Sequence, residues 1–285
     1  MHMVIKPVVK GLLTFIPGMQ SILPKGHTGG TNSAGYCREV WLKHLAMLPE
    51  GATCSMPGTL AELGPGDSIG VGLAALLSGV NRYYALDVVR FSDTGSNVKI
   101  FDELAALFKA RCPSLPDDRI SAIRSAILSP GSEHGGITIR YLVPWSDSKV
   151  IEPGTVDVIL SHAVLEHVVD LECTYRALSL WLKPGGVVSH QIDFRSHGTT
   201  EKWNGYRAYP ELLWKIIAGR RTYLINRQPC SVHVELMEKN GFEIVSAQKQ
   251  HRSDGIRRSQ LSRRWKNISD DDLACSDLTV QARKR

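Results

Sequence analysis

From residue 59 onward the sequence alternates short β-rich runs with helical stretches, and that alternation leaves few folds open. A strand can run parallel to its predecessor only through a long crossover, usually a helix, so repeated β-α order predicts a parallel sheet with helices on both faces. The pattern predicts strands over Thr59 to Leu63, Tyr83 to Val88, Ile137 to Val143, Val156 to Ser161, Val187 to Asp193 and Phe242 to Ala247. Between them it predicts helices over Gly70 to Ser78, Val98 to Arg111, Leu171 to Leu182 and Val232 to Asn240, the last closed by Gly241. The closing "DDDLACSDLTVQARKR" reads as a short helix with an acidic start and a seventh strand, Leu278 to Arg283.

With 285 residues, 43% of them apolar and 22% charged, the chain has the composition of an ordinary globular protein. Its net charge of +6 tilts it toward anionic partners, but the basic residues are spread out apart from clusters near Arg220 and in the last stretch. Six cysteines, at 37, 54, 112, 173, 230 and 275, form no C-x-x-C pair and no disulfide-dense pattern, which points to a reducing cytoplasmic setting. The apolar N-terminus, "VIKPVVKGLLTFIPGMQSIL", is interrupted by Pro7, Lys10 and Pro17 and reads as a packed helix, with membrane-surface contact as the minor alternative.

The first strand runs into "ELGPGDSIG", Glu62 to Gly70. Glycines at a first strand-to-helix turn permit positive φ and close backbone approach, and ligands of doubly wound sheets bind there. Asp87, at the end of the second strand, stands where a carboxylate can accept both hydroxyls of a ribose. Ile69 replaces the third glycine of the dinucleotide fingerprint, and the charge of Glu62 opposes a pyrophosphate while suiting a cationic amine.

"ELGPGDSIG", the acid of "ALD", "VDVILSHAVLEHV" and "WLKPGGVVSHQIDF", taken in order, resemble the class I S-adenosylmethionine-dependent methyltransferases of the type 11 kind. The resemblance covers roughly Thr59 to Arg285. It implies a Rossmann-like α/β fold of seven strands, order 3-2-1-4-5-7-6 with the last antiparallel, over 59–285, and an N-terminal extension, 1–58, covering the cofactor site. It implies S-adenosyl-L-methionine as cofactor, with Glu62, Gly64, Pro65 and Gly66 against its methionyl part and Asp87 on its ribose. Trp145, with Pro144 or Asp147, would face the adenine, and Ser161, His162 and Ala163 the sulfonium side.

Transfer to a hydroxyl needs a base, and histidine is the side chain suited to neutral pH. His190 and His162 are the favoured candidates, with His167 beside them; His190 and Asp193, three apart on one strand, point to opposite faces. Some related O-methyltransferases bind a divalent metal through E-x-x-E-H. Glu166 and His167 match its end, but Ala163 replaces its first glutamate, so the sequence assigns no metal here, and His190 is the residue that would complete one.

The segment 195–229 carries Trp203, Tyr206, Tyr209, Trp214 and Tyr223 among an excess of basic residues, an arrangement suited to stack on and pair with an anionic or sugar-like acceptor. Nucleic acid is the alternative, carried by Arg257, Arg258, Arg263, Arg264 and Lys266. Against it, "SHAV" stands where base amino methylases carry N/D-P-P-Y. A catalytically silent protein that keeps the fold is a third reading.

Overall fold

The structure is a computed structural model that describes residues 5–18, 29–49, 56–145, 147–221 and 224–285. Its strands are β1 (Thr59–Leu63), β2 (Arg82–Leu86), β3 (Glu133–His134), β4 (Ile137–Leu142), β5 (Val156–His162), β6 (Leu182–Asp193), β7 (Phe242–His251) and β8 (Cys275–Lys284). They form one sheet in the order β3-β4-β2-β1-β5-β6-β8-β7. With β3 set aside, that is the 3-2-1-4-5-7-6 order, and β8 runs antiparallel to both β6 and β7. Among the described residues the sheet therefore has eight strands where seven were expected. The added one is a two-residue strand hairpinned onto β4 through Gly135 and Gly136, both at positive φ, and two residues are too short to show a period.

All five residues of β1 are buried, as the central strand of a sheet covered on both faces requires. One face is covered by α2 (Ala34–Ala46), α3 (Gly70–Ser78), α4 (Thr94–Arg111) and α5 (Asp117–Leu128), with Trp41, Leu73, Leu76, Tyr83 and Phe101 at the core. On the other face lie α6 (Leu171–Trp181) and α8 (Cys230–Lys239), around Tyr175, Trp181, Met237 and Phe242. The periodic pattern located α3 to the residue; α5 it left unassigned, although Pro116 with Asp117 and Asp118 marks its start.

The N-terminal segment contributes α1 (Ile5–Leu13) and α2. Helix α2 buries Cys37, Val40, Trp41 and His44, and the Trp41 indole N–H donates to Ser78 Oγ at 2.8 Å. Between β6 and α8, the insert 195–229 carries α7 (Glu211–Ala218) and a small core of its own made by Tyr206, Tyr209, Trp214, Ile217 and Ile225. Among the described residues the cysteines are free; Cys54 lies outside them.

Gly72 ties the helix layer to the site: a Cβ there would stand 2.0 Å from Cζ of Tyr83, whose hydroxyl donates to Glu62 at 2.5 Å. Gly72→Ala should therefore cost about 1–3 kcal/mol by overpacking, read as a lower urea midpoint at unchanged slope.

Candidate active site

The turn after β1 is fixed by three features. Gly64 and Gly66 sit at φ +63° and +77°, and the Gly64 N–H donates to the carbonyl of Leu86 at 2.8 Å, pinning the loop to the end of β2. At the start of α3 the N-cap residue Ile69 offers no side-chain cap; Ser68 Oγ accepts from the Gly70 N–H at 3.1 Å and Asn97 Oδ1 of α4 from the Ile69 N–H at 3.0 Å. From the N-terminal segment Thr31 clasps the same turn, its hydroxyl accepting from Ser68 N–H at 3.2 Å and its carbonyl from the Ser68 hydroxyl.

This turn opens on a cavity of about 1900 Å³. Glu62, Gly64 and Gly66 line it together with Asp87 and Trp145 from the ends of β2 and β4. His162, Ala163 and His167, beyond β5, form the opposite wall, while Tyr36 and Val40 of α2 close over it. The glycine loop, both acids and the indole thus meet at one sheet edge as the sequence indicated. Pro65 is buried in the turn and does not line the cavity; Pro144 also stays outside it, whereas Asp147 lines it. The bare Cα of Gly64 makes room for Val164, whose methyl would lie 2.6 Å from an added Cβ. Its glycine is required by protein packing as much as by close approach of a ligand.

Glu62 is 3% exposed with no basic group beside it among the described residues, and burial raises its carboxyl to about 7, an effect the Tyr83 hydrogen bond only partly offsets. A buried acid poised between its two forms is a ready acceptor for a cationic amine. Asp87 is raised by burial too, and its Oδ1 accepts from the Val88 N–H at 2.7 Å.

Strand alternation separates the histidines. Ser161 turns to the opposite side from His162, and its hydroxyl lies 2.8 Å from Nδ1 of His190, itself fully buried. Both are embedded in the sheet and neither lines the cavity, which removes His190 from reach of an acceptor and Ser161 from reach of a cofactor. His162 faces the cavity and is backed by a chain of buried groups. Its Nδ1 lies 3.2 Å from Nε2 of His44, whose Nδ1 is 2.7 Å from Ser189 Oγ, which accepts from Gln281 Nε2 at 3.2 Å. Burial lowers His162 to about 4, so the ring is neutral near pH 7 with Nε2 left for the cavity. His44 escaped the sequence reading because it continues the apolar stripe of α2, one turn after Val40.

His167 lines the cavity beside His197, their rings edge to face at 4.9 Å. One ligand atom each from Glu166, His167 and His197 lies within 4.8 Å of the others, a donor set suited to a divalent transition metal. His197, not His190, completes this cluster, because the turn after β6 brings it back at φ +46°. Glu166 is 2% exposed, and burial holds its carboxyl well above the usual range, the backbone N–H groups of Glu166 and Asp193 offsetting only part.

The aromatic residues of the insert do not form the expected substrate wall. Trp203, Tyr206, Tyr209 and Trp214 are at most 8% exposed, and Tyr223 lies outside the described residues. Arg227 is stacked between Trp214 and Trp265, with Cζ 4.5 and 5.8 Å from their ring centres. What the insert gives the cavity is His197, Arg220, Arg221 and Leu224.

No protein-family model matches the chain, and no curated protein matches it. Among solved structures, it is similar to an S-adenosylmethionine-dependent methyltransferase from Mesorhizobium loti, at 17% identity and a TM-score of 0.48, over 88% of this chain and 100% of that one. It is similar also to a SAM-dependent methyltransferase from Methanosarcina mazei, at 12% and 0.47 over 81% and 93%. A third is the phosphoethanolamine N-methyltransferase 2 of Haemonchus contortus in complex with S-adenosyl-L-methionine, at 15% and 0.45 over 86% and 52%. Likeness at this level does not bear on what the chain does, which rests on its own residues.

Because the folded state holds the Glu166 proton more tightly than the unfolded chain, stability at this group falls as pH rises above the ordinary glutamate value, by up to about 1.4 kcal/mol per pH unit. Glu166→Gln removes that loss. In chelator, urea unfolding at pH 5 and pH 8 should show the wild type losing more stability between the two than the variant; equal losses would contradict an uncompensated Glu166.

Proposed function

We propose that the chain is an S-adenosylmethionine-dependent methyltransferase acting on a hydroxyl of a small, sugar-like or anionic acceptor. The observation that carries this reading is Glu62: a buried acid without a cation, at the foot of a glycine turn, in one cavity with Asp87, Trp145 and a neutral histidine. Each of these has a counterpart in the cofactor. Glu62 suits its ammonium group, Asp87 its ribose hydroxyls and Trp145 its adenine, and the residues present therefore fit the group.

When bound, the cofactor supplies an electrophilic methyl group on a sulfonium. The chain's own residues hold the ends of that molecule, exclude water beneath Tyr36 and Val40, and align an acceptor on the histidine wall. His162 takes the hydroxyl proton at Nε2 when its own Nδ1–H donates to His44 Nε2, with His44 Nδ1–H donating in turn to Ser189. The reverse setting, in which Ser189 donates to His44 and His44 to His162, would leave Nε2 protonated and a donor. A base role therefore requires the first setting, in which His44 Nε2 accepts from His162. Arg220 and Arg221 at the rim suit an acceptor with a carboxylate or phosphate.

The basic residues put forward for nucleic acid are partly engaged within the protein. Arg258 pairs with Asp270 and the carbonyl of Ile268, and Arg264 pairs with Glu211 at 2.9 Å while lying over Trp265. That weakens the case for a continuous phosphate-binding face.

The test is incubation with methyl-labelled cofactor and fractionated small metabolites, followed by mass spectrometry of whatever gains a methyl group. Transfer to a hydroxyl is expected, and His162→Ala should lower turnover by about 10²-fold or more while cofactor affinity stays close to that of the wild type. Wild-type turnover in His162→Ala would refute the base assignment, and transfer confined to RNA or DNA would refute the acceptor class.

A further inference from the structure

Helix α1 packs the wrong way round for a helix of a globular protein. Pro7 and Gly11, with Thr14 in the turn that follows, are buried, while Ile5, Val9 and Leu12 are 46–68% exposed. At 3.6 residues per turn those three lie within about 60° of one another, opposite the buried face. Phe15 and Ile16 extend the exposed apolar surface past the helix end, and Leu212 of α7, the neighbouring helix, is 73% exposed.

This orientation is locked in place. A Cβ on Gly11 would stand 2.0 Å from the carbonyl oxygen of Ile216, so only glycine lets α1 approach α7 this closely. The Thr14 hydroxyl donates to the Gly11 carbonyl at 2.5 Å and accepts from the Arg220 N–H at 2.8 Å, closing the contact at the helix end. The small residues hold the helix on the protein, and the large ones are left facing outward.

The charges around this face have one sign. Residues 5–18 contain Lys6 and Lys10 and no acid, and α7 and its exit add the exposed Lys215 and Arg220. Glu211, the acid of α7, is paired with Arg227 and Arg264. The Arg220 guanidinium lies 5.6 Å from the ring centre of the exposed Phe15, an apolar ring beside a cationic head. An apolar stripe flanked by long basic side chains suits the boundary between acyl chains and anionic headgroups, where the stripe is buried and the cations reach the phosphates.

We propose that α1 docks the protein on the surface of an anionic lipid bilayer. No helix among the described residues is long and apolar enough to cross a membrane, so the contact lies in the interface plane. The same helix contributes Lys10 to the cavity wall, as the following turn contributes Thr14. Docking therefore sets the cavity rim one helix away from the headgroups, a position suited to an amphiphilic acceptor. The docking itself is independent of the methyl-transfer reading.

Co-sedimentation with vesicles tests it, using phosphatidylcholine and phosphatidylglycerol in equal parts, and phosphatidylcholine alone. The wild-type chain should pellet with the mixed vesicles, release as salt rises, and bind pure phosphatidylcholine weakly. The double variant Val9→Glu, Leu12→Glu should bind the mixed vesicles about tenfold less or weaker, with an unchanged thermal midpoint because both side chains are exposed. No pelleting of the wild type, or equal pelleting of the variant, overturns the proposal. A wild-type dimer that the variant dissolves, with no vesicle binding, overturns it in favour of a second copy of the chain.

Discussion

The site is organised around a carboxylate buried where a charge is costly. Glu62 occupies the central strand of a sheet covered on both faces, and burial leaves its proton affinity near neutrality. Tyr83, from the neighbouring strand, supplies the hydrogen bond that makes the position tolerable, and Gly72 is a glycine because the Tyr83 ring fills the space of its side chain. The first turn of α3, the core of β2 and the floor of the cavity are therefore one packing problem. A group that brings a positive charge to Glu62 would relieve it.

The N-terminal segment completes the site. Thr31 holds the glycine turn from above, Trp41 anchors α2 to α3, and His44 reaches through the helix layer to the back of His162. The ring that faces the acceptor side is positioned by a residue of that segment and by Ser189 and Gln281 from β6 and β8. Deleting α2 would remove both the cover of the cavity and the partner that orients its histidine.

Much of this was legible because it is local. Strand and helix order, the glycine turn, Glu62 and Asp87 follow from short-range period and from residues whose chemistry has few uses at strand ends. Ser161 and His162 were expected on one side of the cofactor, although adjacent residues of a strand turn to opposite faces, as the structure has them. Which of the two faces the cavity depends on where α2 lands, and a single sequence does not show that. The same limit applies to the insert, where tryptophan and tyrosine spacing reads alike for a stacking wall and for a small core; the structure makes it a core, with Arg207 and Arg227 buried between the rings. His197 joined Glu166 and His167 through a turn in which His197 itself takes positive φ beside Gly198, and the Gly64–Val164 contact joins two turns far apart in sequence. Contacts of that kind have no signature in a single sequence.

The central claim is that Glu62 meets the cationic amine of S-adenosylmethionine. Isothermal titration with S-adenosylmethionine across pH 5.5 to 8.5 measures it directly. Since the amine pairs with the ionised carboxylate, affinity should rise with pH and level off above about 7, and Glu62→Gln should bind more weakly without that rise. The absence of binding at high micromolar cofactor, or one affinity shared by wild type and variant at every pH, would contradict the account.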